Sequence, residues 1–92
     1  MLIFQYNRID ILYIYINLRN MTQLGEYFLK KSINKADVSR KTGISPARLS
    51  QLSLRKTTKL RVDELYLIAL AIDVNPSDIL DFVCADLNLK AN

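Results

Sequence analysis

From Thr22 onward, apolar residues recur at three- and four-residue intervals, the period of a helix buried along one face. Leu24, Tyr27, Phe28 and Lys31 share one such face, and Thr22 can cap the helix start, so a first helix is expected over about 23–31. Gly25 inside it costs about 1 kcal/mol relative to Ala. Close packing against another helix and plain exposure are equal explanations for it. Asn34 caps a second helix, expected over 35–42, whose single large apolar residue is Val38; Gly43 follows as its terminator. Ser45-Pro46 is a cap followed by a first-turn proline and opens a third helix to about residue 54, with Leu49 and Leu52 turned inward. A fourth is expected over about 62–72, with Asp63 and Glu64 in the first turn, where anions suit the helix dipole. Asn75-Pro76 opens a fifth, to about residue 85, carrying Ile79, Leu80, Phe82 and Val83.

The predicted fold is therefore all-α, a five-helix domain over residues 21–85 with an N-terminal extension (1–20) and a short tail (86–92). Leu65 to Ile72 are all apolar. Leu65, Ile68, Ala69 and Ile72 make one core stripe, leaving Tyr66, Leu67 and Leu70 in surplus. The fourth helix is thus either central in the bundle or the site of a second interface, with another subunit or with residues 1–20.

Residues 1–20 differ in kind. They hold Ile, Tyr, Asn and Leu in excess and no Gly, Ala, Pro, Val, Ser or Thr. Ile9 to Leu18 favours a strand, which would need a partner. Alternatively the segment is upstream sequence read from an earlier start, because its enriched residues are those of AT-rich codons. Its longest uncharged run after Asp10 ends at Leu18, too short for a membrane span of about 20 residues. It lacks the early basic region and small-residue cleavage site of a secretory signal.

Composition narrows the chemistry. The 92 residues contain no His, so histidine catalysis and histidine metal ligation are excluded. The single Cys84 allows no intrachain disulfide or cysteine-cluster zinc site, and the expected compartment is cytoplasmic. Gly25 and Gly43 are the only glycines, so there is no Gly-rich phosphate loop. No catalytic residue, cofactor or metal is expected. Asp78, Asp81 and Asp86 could suggest a metal site, but capping explains Asp78 better.

The net charge of +4 is unevenly placed. Residues 30–61 carry Lys30, Lys31, Lys35, Arg40, Lys41, Arg48, Arg55, Lys56, Lys59 and Arg61 against Asp37 alone. Residues 62–92 carry Lys90 against Asp63, Glu64, Asp73, Asp78, Asp81 and Asp86. A basic block within a folded domain points to a polyanion, most commonly nucleic acid.

Inside that block, two short helices flank a turn with glycine, as in a helix-turn-helix. Val38, Ile44, Leu49 and Leu52 can clamp the pair, Ser39 is small where the helices cross, and Gly43 permits the turn. Val38-Ser39, Gly43-Ile44-Ser45 and Leu49-Ser50 also stand at the spacings of a family pattern, as do Leu65, Ile68-Ala69, Ala71-Ile72 and Asp73-Val74. Over roughly residues 22–83 the sequence resembles the helix-turn-helix domain of the lambda-repressor and Cro type, also called the xenobiotic-response-element family. It departs from that family at Lys35, where Gln is usual, at Ser39 for Ala, at Ser53 for Glu, and at Arg55-Lys56 where Gly is frequent.

The resemblance implies that the third helix enters the major groove of double-stranded DNA. The helical wheel turns Ala47, Ser50, Gln51 and Leu54 outward, with Arg48 on the flank and Pro46 at the tip. The expected base contacts are Pro46, Ala47, Arg48, Ser50 and Gln51. Gln51 suits adenine, Ala47 a thymine methyl, and Arg48 guanine or phosphate. The expected phosphate contacts are Lys35, Arg40, Lys41, Ser45, Arg55, Lys56, Thr57, Thr58, Lys59 and Arg61. The expected function is a sequence-specific transcriptional regulator, acting away from membranes as a homodimer joined through Tyr66, Leu67 and Leu70 or through the fifth helix around Phe82. The competing expectations are an antitoxin with a toxin protein as partner, which a neighbouring toxin gene would favour, and an interaction module that does not bind DNA.

Overall fold

The computed structural model describes residues 21–90; the strand expected at residues 9–18 lies outside them. Five helices follow in order: α1 (Gln23–Lys30), α2 (Lys35–Thr42), α3 (Pro46–Leu54), α4 (Val62–Ala71) and α5 (Pro76–Val83). Among the described residues there is no strand.

Four helix starts follow from local chemistry. The side chains of Thr22, Asn34, Ser45 and Asn75 accept hydrogen bonds from free N–H groups of the first turns of α1, α2, α3 and α5. At α4, the Glu64 carboxylate reaches back to the Arg61 N–H at 3.0 Å. The helix ends are less regular. Gly43 takes the left-handed conformation after α2 at φ +80°. Ser32 and Asp73 do the same after α1 and α4, at φ 54° and 58°, without glycine. In both cases a closing bond forms at the next residue, from Ile33 N–H to the Phe28 carbonyl and from Val74 N–H to the Ala69 carbonyl. The turns of Lys31 and Ile72 therefore lie just outside their helices. Likewise α5 stops at Val83, short of residue 85.

The core gathers Leu24, Tyr27 and Phe28 from α1, Val38 from α2, Leu49 and Leu52 from α3, Leu65, Ile68 and Ala69 from α4, and Ile79 from α5. Each fully buried Leu or Ile contributes about 1.5–3 kcal/mol of apolar burial. α1 packs on α3 and α5, α2 on α3 and α4, and α4 on α5. Lys31, expected on the buried face of α1, is exposed, its ammonium 5.8 Å from the centre of the Tyr27 ring.

The α1–α3 crossing settles the role of Gly25, which is buried. A Cβ there would overlap the Ser53 carbonyl oxygen and lie 3.1 Å from the carbonyl carbon. That carbonyl already accepts the Thr22 N–H at 2.9 Å. Thr22 Oγ1 lies 2.6 Å from the Leu52 carbonyl and 3.0 Å from that of Ser53. The start of α1 and the end of α3 thus satisfy each other's free backbone groups at close range.

Candidate nucleic-acid interface

α2, a turn and α3 form the helix-turn-helix. Val38, Leu49 and Leu52 are buried between and beneath the two helices, and Ile44 packs against them. The turn is tied from both sides. Ser39 Oγ donates to the Ile44 carbonyl at 2.7 Å, and Thr42 Oγ1 accepts the Ile44 N–H at 3.1 Å. Ser39 therefore does more than stay small: its hydroxyl satisfies the turn's carbonyl. Ser45 Oγ caps α3 by accepting the Arg48 N–H at 3.1 Å, so its lone pairs are partly used by the fold.

With Leu49 and Leu52 inward, α3 exposes Pro46, Ala47, Ser50 and Gln51, and leaves Leu54 half-buried. Ala47, Ser50, Gln51 and Leu54 occupy one stripe by helical spacing. Arg48 does not join them. Its Nε donates to Glu64 Oε2 at 2.8 Å, and its Nη2 donates to Glu64 Oε1 and to the Lys59 carbonyl, each at 2.9 Å. The guanidinium is thereby drawn from the flank of α3 across the loop at 55–61 to the first turn of α4. The Arg48 hydrogen bonds hold the Glu64 carboxyl below its ordinary range despite the opposing effect of burial.

The expected phosphate ligands divide into groups. Arg55, Lys56, Thr57 and Lys59 are exposed on the loop, and Thr58 is half-buried in it. Lys41 is exposed in the last turn of α2, and Lys35 is half-buried at its start. Arg40 and Arg61 are exposed but paired with Asp37 and Asp63. Such surface pairs are worth about 0–1 kcal/mol and exchange readily for another anion. The basic block, continuous in sequence, separates in space. Lys30 lies over the Phe82 ring at 5.6 Å, so it and Lys31 sit on the aromatic pair made by α1 and α5.

The observation that bears on ancestry is the sequence match over this frame. Residues 23–85 match the family model of the Cro/C1-type helix-turn-helix DNA-binding domain. The chain belongs to that family. The match runs from the first residue of α1 to just beyond α5, so it covers the whole bundle. No curated protein and no solved structure matches the chain. Membership of the Cro/C1-type family supports a DNA-binding regulator in general terms. Among the described residues, no helix is long and apolar enough to cross a membrane.

Proposed function

We propose that the protein is a sequence-specific transcriptional regulator in the cytoplasm, with α3 as the helix that reads the major groove. The observation that carries this reading is the exposed, uncharged stripe of Ala47, Ser50 and Gln51 on α3, followed directly by a loop of exposed cations. Base readout requires side chains free to reach base edges, and positioning requires cations beside them. Gln51 offers adenine a paired donor and acceptor, and Ala47 offers the thymine methyl an apolar contact. Lys35, Lys41, Arg55, Lys56 and Lys59 supply phosphate contacts, with Arg40 and Arg61 joining when phosphate displaces their carboxylate partners.

Two substitutions separate reading from positioning. Gln51→Ala is expected to weaken the preferred site by about 1–3 kcal/mol and to relax preference at one position per half-site. Lys59→Ala is expected to weaken all duplexes about equally and to lower the salt slope by roughly one. Binding isotherms on selected and random duplexes check both. Loss of specific and random binding alike in Gln51→Ala, with altered base preference in Lys59→Ala, would overturn the assignment.

A homodimer completes the proposal, since one short helix reads few base pairs and two-fold pairing doubles the site. Tyr66, Leu67 and Leu70 of α4 support it as the interface, being exposed by 53%, 40% and 57%. Phe82 does not belong with them, because it packs edge-on against Tyr27 with ring centres 5.2 Å apart. Sedimentation is expected to show two chains per operator, with Leu70→Asp shifting the protein to monomer. A single chain both free and on DNA would rule the dimer out.

A further inference from the structure

Arg48 is the one charged residue in α3. Its bonds to Glu64 and to the Lys59 carbonyl occupy both the Nε and the Nη2 donors. Glu64 is 7% exposed, and the same carboxylate accepts the Arg61 N–H that begins α4. Pulling Arg48 away would leave a buried carboxylate with the Arg61 N–H as its remaining hydrogen bond from α4's start and no ion-pair partner. The two other ion pairs of the described residues are of a different kind, exposed on both partners. Phosphate can take Arg40 or Arg61 at little cost, but Arg48 is held.

We propose that Glu64 is a specificity-determining residue that never touches DNA, and that acts by withholding Arg48 from the duplex. The inference rests on the reading of α3 as the DNA-reading helix. With Arg48 withheld, α3 presents only amide, hydroxyl and methyl groups to the groove. The duplex it selects is therefore one with A·T pairs where α3 makes contact, because guanine is read chiefly by Arg or Lys. Released from Glu64, the guanidinium would lie on the flank of the reading helix, within the choice of guanine or phosphate that its position offers.

Glu64→Gln is the appropriate release. It keeps the side chain's shape and an acceptor for the Arg61 N–H, and Gln serves in capping boxes as Glu does. It removes the charge that holds Arg48. Duplex selection from random sequence, followed by salt-dependent binding, would compare wild type, Arg48→Ala, Glu64→Gln and the double variant. Wild type and Arg48→Ala are expected to select the same bases. Glu64→Gln is expected to bind random duplex about three- to tenfold more tightly at low salt, with a slope steeper by about one, or to gain guanine at one position per half-site. Removing Arg48 in the Glu64→Gln background is expected to abolish either gain, which a merely structural role for the pair would not produce. Loss of a guanine preference, or a salt slope shallower by one, in Arg48→Ala alone would overturn the proposal; if the unpaired Glu64 keeps that variant from folding, the double variant, which leaves no unpaired charge, makes the same comparison with wild type. Wild-type selection and binding in Glu64→Gln would also overturn it. Failure of the wild-type protein to bind any duplex would overturn both the DNA reading and the clamp, whereas binding with Arg48-dependent base preference would overturn the clamp alone.

Discussion

Gly25→Ala is expected to destabilise the domain by about 2–3 kcal/mol, the upper part of the range for overpacking a close contact. Helix propensity alone predicts the opposite, a gain of about 1 kcal/mol for replacing glycine within a helix. The two effects differ in sign, so one thermal or denaturant melt decides between them. The added methyl meets Met21 and the Ser53 carbonyl. The Met21 side chain can turn away. The carbonyl cannot, because it belongs to the end of α3 and holds the Thr22 N–H. Moving it would open the α1–α3 junction and unseat the cap of α1. At about 4–8 °C per kcal/mol for a domain of this size, the melting temperature should fall by at least about 8 °C. A variant as stable as wild type, or more so, would show that the helices do not approach so closely.

DNA affinity is expected to collapse with salt. Lys35, Lys41, Arg55, Lys56 and Lys59 have no carboxylate partner among the described residues. If they neutralise about five phosphates per chain, log affinity falls against log salt with a slope near −4.5 for each chain bound, and near −9 for the dimer. Raising salt from about 50 to about 200 mM then weakens binding by about 500-fold per chain. Filter binding or fluorescence anisotropy across that range measures the slope. A slope near zero would remove the phosphate contacts from the account.

The helices were legible because their signals are local. Asn34, Ser45-Pro46 and Asn75-Pro76 stand directly before the apolar periods they open, and each caps its helix as expected. Helix ends were harder. Ser32 and Asp73 turn left-handed where glycine usually does, so no residue type marks the stop. The candidate site was legible as far as the helical wheel reaches. The wheel exposes Ala47, Ser50 and Gln51, and so does the fold. What escaped was set by contacts between distant residues. Arg48 lies on the flank of α3 by the wheel, and nothing nearby in sequence indicates that a carboxylate sixteen residues away binds it. Lys30 and Lys31 look like part of one basic surface until α5 brings Phe82 beside Tyr27. Gly25 carried two equal explanations because its neighbour, Ser53, lies on another helix.

As proposed, α3 and the loop after it form the face that meets DNA. Amide chemical shifts recorded while a selected duplex is added to the labelled protein test it residue by residue. The largest changes are expected at Ala47, Ser50 and Gln51 and along residues 55–61, with Tyr66, Leu70 and Leu80 unmoved by DNA in a protein already dimeric. Changes centred on α4 and α5, with α3 unperturbed, would contradict it.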